Sequence, residues 1–161
     1  VVPRAYIVPK AIYEKDPKKT IEILAGRIDP LKEVIVDEIV ELPAKGSFTG
    51  ETKVLSYDNR SVSLRASLNR PGILVLSDSF YPGWKVYVDG VERKIIRANY
   101  FLRGVFLPPG EHQVVFRYQP TSFLYGTIIS LSTAILLLAY FIIRSRHIFQ
   151  KLPGAPREPG L

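Results

Sequence analysis

The 161-residue chain contains no cysteine and no methionine, one tryptophan (Trp84) and two histidines (His112 and His147). Without cysteine there is no disulfide and no thiolate metal site. Many bacterial exported domains also have none, so this absence does not fix the compartment. The two histidines flank a long apolar run, cannot share one ion across it, and no metal-ligand spacing occurs elsewhere. No metal and no cofactor are therefore expected. Glycine-rich phosphate loops and nucleophile elbows are missing too, and the scattered carboxylates suggest no pair for general acid–base work. These residues alone make no active site, and no catalytic residue is assigned. Acidic residues are the minority: 22 Lys and Arg stand against 15 Asp and Glu, a net charge of +7. The excess forms no basic stripe with interleaved aromatics, so no nucleic-acid partner is expected.

The longest stretch without charge is Phe123 to Ile143, FLYGTIISLSTAILLLAYFII, twenty-one residues that also lack Pro, Asn and Gln. As a helix it spans about 30 Å, the thickness of a bilayer's hydrocarbon core. Thr127, Ser130, Ser132 and Thr133 are small hydroxyls that can bond back to helix carbonyls, and Tyr125 and Tyr140 stand where interfacial aromatics sit. The stretch reads as a transmembrane helix with the lipid bilayer as partner. Arg144, Arg146 and Lys151 follow it, whereas residues 111–122 hold Glu111 and Arg117, so the positive-inside bias places the C-terminus in the cytoplasm. Charge divides accordingly, with 18 Lys/Arg against 14 Asp/Glu before the span and 4 against 1 after it. The expected organisation is an extracytoplasmic domain over residues 1–122, a span over 123–143, and a basic, disordered cytoplasmic tail over 144–161. The N-terminal run VVPRAYIVPKAIYEKD is too short and too broken by Pro3, Arg4 and Pro9 to be a signal peptide. An outside domain without an export signal, starting without Met, is expected to be the C-terminal piece of a longer cell-membrane protein.

In chain order, Ala5 to Pro9 reads as an edge segment, with prolines on both sides. Asp16-Pro17 starts a helix through Ile21, Leu24 and Ala25, and Gly26 ends it. Val34 to Val36 is a short strand that Glu38 to Leu42 would extend. From Lys53 onward the pattern is β: Val54, Leu55 and Tyr57 precede an Asp58-Asn59 turn, and Val62, Leu64, Ala66 and Leu68 alternate with polar residues. Ile73 to Leu76 is a buried run. Trp84, Val86 and Val88 lead through an Asp89-Gly90 type I′ turn into Val91, Arg93 and Ile95. Val105 to Leu107, a Pro108-Pro109-Gly110 turn, and Val114, Phe116 and Tyr118 complete the pattern. The fold class is mainly β: an antiparallel β-sandwich of jelly-roll or immunoglobulin-like type with one short N-terminal α-helix packed on it, followed by a single C-terminal transmembrane helix.

The most unusual local composition is LSDSFYPGWKVYVDG, Leu76 to Gly90. Tyr81 and Trp84 around a Pro82-Gly83 turn, with Asp78 nearby, suit the stacking of a sugar ring beside a carboxylate. The same residues suit a packing role, with Trp84 and Tyr87 on opposite sheet faces and Tyr81 closing the turn. Arg97 can bind a phosphate or carboxylate and Asn99 can orient it; Arg97 can equally tie its loop to a neighbouring carboxylate. His112, in the turn PPGEHQ, is expected to be exposed. Asn59-Arg60-Ser61 fits the glycosylation acceptor pattern.

The runs SDSFYPGWKVYVDG and RANYFLRGVFLPPGEHQVVFRYQP before a single span, with PRAYIVPKA and DPLKEVIVDE upstream, resemble the C-terminal end of the YfhO family of bacterial multi-pass membrane proteins. The resemblance covers nearly the whole chain up to Ile143. That family resembles the glycosyltransferases that take sugar from a polyprenyl-phosphate donor outside the membrane, in cell-envelope glycosylation. Their catalytic acid lies in an early outside loop, so the resemblance carries no catalytic residue to this chain. What it implies is an accessory or acceptor-positioning domain and the last span of such an enzyme. The partners would be the remaining transmembrane helices of the parent protein and a glycan or lipid-linked sugar, with Asp78, Tyr81, Trp84, Arg97 and Asn99 as ligand-binding candidates. The alternative is a non-enzymatic, membrane-anchored module that binds carbohydrate or protein.

Overall fold

The computed structural model describes residues 2–26, 28–43 and 46–150, and it divides into two compact units, Val1–Gln119 and Pro120–Leu161. The first unit is built from strands β1 (Ala5–Val8), β2 (Lys10–Tyr13), β3 (Glu33–Val36), β4 (Gly50–Tyr57), β5 (Ser61–Leu68), β6 (Gly72–Ser79), β7 (Trp84–Val88), β8 (Val91–Arg93), β9 (Ile96–Ala98), β10 (Leu102–Leu107) and β11 (Gly110–Tyr118). Helix α1 (Pro17–Gly26) lies between β2 and β3. One sheet has the order β1-β6-β10-β9-β3-β2 and the other β4-β5-β11-β7-β8. The mainly β, antiparallel-rich two-sheet fold expected from the patterning is present.

One pairing departs from that expectation. β2 runs parallel to β3, with Lys10 opposite Glu33 and Tyr13 opposite Val36. A parallel pair needs a crossover, and α1 supplies it. Asp16 caps this helix, its Oδ1 accepting from Lys18 N at 2.9 Å. The helix does not pack as expected: Thr20 is its buried residue, while Ile21 stays half exposed. Glu38 to Leu42 does not extend β3. These residues leave the sheet, and Val40 and Leu42 pack against the core instead.

The first sheet cannot be flat. Only Pro9 separates β1 from β2, yet the two hold opposite edges of six strands. Five inter-strand steps of about 4.8 Å would set those edges roughly 24 Å apart, beyond the reach of one residue. The sheet therefore curls, bringing β2 beside β6. Curling gives β6 two buried faces. Leu74 and Leu76 join Val62, Leu64, Val86, Val105 and Phe116 between the sheets, while Ile73 and Val75 join Tyr6, Val34, Val36 and Ile96 inside the curl. This explains the unbroken apolar run Ile73 to Leu76, since strands covered on both faces do not alternate.

The β7–β8 hairpin has its expected type I′ turn, with φ of 52° at Asp89 and 81° at Gly90. His112 is covered rather than exposed, its side chain only 11% accessible. Its Nδ1 lies 2.7 Å from Asp89 Oδ2 and its Nε2 3.0 Å from the Pro108 carbonyl oxygen. Asp89 Oδ1 also accepts from Gln113 N at 2.8 Å, so this one carboxylate ties the hairpin tip to β11.

The second unit is helix α2 (Thr121–Gln150), whose stretch Thr121–Arg144 is long and apolar enough to cross a membrane. Thr127, Ser132 and Thr133 hydroxyls donate to the carbonyls of Phe123, Ile128 and Ile129, as expected for hydroxyls in an apolar helix. The helix continues past Ile143 into the segment read from sequence as a tail, because no proline interrupts it before Pro153. The remainder of that tail, residues 151–161, lies outside the described residues.

Candidate functional site

The residues singled out from the sequence converge on one end of the sandwich, where β6, β10, β7 and β11 begin or finish. Between β6 and β10 the register steps from Leu102 opposite Ser79 to Arg103 opposite Leu76, so Ser77 and Asp78 form a bulge. Asp78 lies on the inward face with Leu74 and Leu76, and Arg103 lies inward with Val105 and Leu107 by the strand period of two. Their side chains meet between the sheets, Arg103 Nη2 3.3 Å from Asp78 Oδ2. Arg103 is buried and Asp78 is largely covered, their side chains 5% and 11% accessible.

Trp84 completes this interior cluster. Its ring centroid is 3.8 Å from the Arg103 guanidinium carbon and 5.5 Å from the Tyr118 ring. Burial works against the Arg103 charge, lowering its pKa from the ordinary guanidinium value, while the Asp78 and Tyr57 charges act the other way. Arg103 Nε and Nη1 and Asp78 Oδ2 have no hydrogen-bond partner among the described residues. Stacking on Trp84, with Phe116 also 5.8 Å away, holds a cation that hydrogen bonds leave under-satisfied. Asp78 and Trp84 are thus joined, but inside the sandwich, and one indole face is covered by Arg103. Sequence reading missed Arg103. The signal was a charge at an inward position on each of two neighbouring strands.

Tyr81 is placed differently. Trp84 N donates to Tyr81 O at 3.4 Å, closing a turn with Pro82 second and Gly83 third, and Gly83 has φ 99°. This matches a type II turn, which wants proline and then a residue at positive φ. The turn holds the Tyr81 ring in solvent, 61% exposed. Phe80 N donates to Phe101 O at 2.5 Å, linking this loop to the β9–β10 connection.

Arg97 stands near a neighbouring carboxylate, as one of its two readings expects. It is half exposed, 3.9 Å from Asp37 Oδ2, and its guanidinium lies 5.0 Å from the Phe80 ring centroid. Asn99 is buried at 6%. It mimics a strand neighbour for β3: its N donates to Ile35 O at 2.8 Å and its Oδ1 accepts from Ile35 N at 2.9 Å. The Tyr6 hydroxyl, whose pKa is raised by burial, also bonds Asn99. Asn99 therefore orients protein, and the arrangement leaves Tyr81, Arg97, Tyr100 and Phe101 as the accessible groups. Asn99 and Tyr100 both have positive φ, 45° and 76°, and for an aromatic residue that conformation is strained. No group of three or more His, Asp and Glu is placed to hold a metal ion among the described residues.

Residues 47–130, more than half of the chain, match the family described as bacterial membrane protein YfhO. The uncharacterized protein YfhO of Bacillus subtilis (strain 168) is 26% identical over 148 residues, covering 92% of this chain and 15% of that relative. The chain thus spans about 15% of the length of the curated relative it matches. No solved structure matches it. With its family match, its mainly β domain and its membrane-length helix, the chain belongs to the YfhO family of bacterial membrane proteins.

Proposed function

We propose that residues 1–122 are the extracytoplasmic C-terminal domain, and α2 the last span, of a YfhO-like integral membrane protein, with the C-terminus in the cytoplasm. The domain's work is to position acceptor glycan for a membrane glycosyltransferase that uses a polyprenyl-phosphate sugar and acts on the cell envelope. The observation that carries this reading is the exposed Tyr81 ring on its Pro82-Gly83 turn beside the Phe80–Arg97 pair. An apolar ring face next to a cationic donor is the kind of surface that holds a sugar. Asp78 and Trp84 contribute from behind, by fixing the strand ends that carry the turn, and Asn99 by fixing the loop beside it. The helix supports the partner reading. Gly126, Ser130 and Ala134 recur at four-residue spacing on α2, a pattern that lets a neighbouring span approach closely.

The second reading is a non-enzymatic, membrane-anchored carbohydrate- or protein-binding module, and the engagement of Asp78 and Trp84 inside the sandwich favours it. Glycan titration of the chain in nanodiscs, with Tyr81→Ala and Arg97→Gln alongside, tests the sugar-holding surface on which the first reading rests. Saturable binding that weakens in both folded variants supports acceptor positioning. No binding by a well-folded chain would reduce this end of the domain to structure.

A further inference from the structure

The end of the sandwich described above is also where the chain leaves for α2. Gln119 N donates to Gly83 O at 2.6 Å, and α2 begins two residues later at Thr121. Around this exit stand the tips of several connections. Tyr118 N donates to Arg60 O at 2.8 Å, which brings the β4–β5 turn to Gln119, and Phe101 is held to Phe80 beside the Tyr81 turn. Of the six exposed aromatic side chains in the described part of the sandwich (Tyr13, Tyr57, Tyr81, Tyr100, Phe101 and Phe106), four lie at this end. Tyr57, Tyr100 and Phe101 are 47%, 43% and 54% accessible. Arg4, whose guanidinium lies 4.1 Å from the Tyr57 ring centroid, Arg60 and Arg117 are exposed among them.

A soluble surface has little reason to hold an aromatic ring at a loop tip in a strained backbone conformation, as Tyr100 does at φ 76°. A lipid headgroup layer supplies one, since amphipathic rings partition there, and arginine stems reach from apolar surface toward phosphate. We propose that this rim (Tyr57, Tyr100 and Phe101 with Arg4, Arg60 and Arg117) seats in the headgroup layer of the membrane that α2 enters. The inference rests on reading α2 as a span, and it is independent of whether Tyr81 binds sugar.

Because the chain has no cysteine, single-cysteine variants of the whole chain can carry an environment-sensitive fluorophore. In vesicles of phosphatidylcholine and phosphatidylglycerol, labels at Asn59→Cys and Phe101→Cys should be blue-shifted and lose most of their emission to nitroxides on lipid headgroups. Labels at Val91→Cys and Phe106→Cys, at the other end of the sandwich, should keep aqueous spectra. Exchanging Tyr100→Asn and Phe101→Ser together should return the Asn59→Cys label toward the aqueous spectrum. A label at Ile135→Cys with a nitroxide deep in the acyl chain tests the span separately. Quenching at 135 with aqueous spectra at 59 and 101 overturns the seating alone, and no deep quenching at 135 overturns the span and the seating with it.

Discussion

The guanidinium carbon of Arg103 lies over the ring of the only tryptophan, 3.8 Å from the Trp84 centroid, while its Nη2 is 3.3 Å from Asp78 Oδ2. A charge pair at this depth is held by its own geometry. Removing one member strands the other in a poorly solvated space, whereas removing both leaves nothing stranded.

Arg103→Met alone is therefore expected to destabilise the domain by about 3–5 kcal/mol, and Arg103→Met with Asp78→Asn by much less. Urea unfolding followed through Trp84 emission measures both. Additive losses in the double-mutant cycle would show that the two charges do not depend on each other.

Asn99→Ala removes the acceptor for Ile35 N and the side chain best suited to φ 45°, and it should cost about 1–3 kcal/mol. Asn99→Gly keeps the backbone freedom but not the acceptor, so it should lose less. Equal losses would mean that the hydrogen bond alone matters.

The Asp89 carboxyl is held below its ordinary pKa, chiefly by the hydrogen bond to His112 and then by that from Gln113 N. A depressed folded-state value stabilises above the unfolded value of about 3.9, and that contribution is lost as pH falls through the folded value. Asn tolerates the same positive φ, so Asp89→Asn should unfold with a shallower acid dependence below about pH 4 and otherwise keep the turn. Identical acid limbs would remove Asp89 from the account.

Gly72→Ala tests the seam between β1 and β6. The added methyl would stand 2.9 Å from Ile7 Cγ2 and 3.0 Å from the Val8 carbonyl oxygen, and the latter belongs to backbone that cannot swing away. A loss of about 1–3 kcal/mol is expected, as for other overpacked cores. In α2, Gly126→Ala meets nothing within 4 Å and should leave the domain's unfolding midpoint unchanged.

Local chemistry made much of this molecule legible in advance. The alternation in β5 and β11, the Asp89-Gly90 turn, the Asp16 cap and the uncharged Phe123 to Ile143 run each express a rule that acts within a few residues. Turn conformation, helix capping and hydrocarbon length need no distant partner, and the YfhO-like motifs lie in these same local stretches. The curl of the six-stranded sheet was not legible, because it follows from β1 and β2 holding opposite edges, and pairing partners far apart in sequence leave no local mark. The same reason separates the candidate residues. Tyr81, Trp84, Asp78 and Asn99 are neighbours by composition, but strand period and register send Trp84 and Asp78 inward to Arg103, commit Asn99 to Ile35, and leave Tyr81 in solvent. Sequence decided which side chains were present at this end of the domain; the pairing of distant strands decided which of them face inward and which remain free to meet a partner.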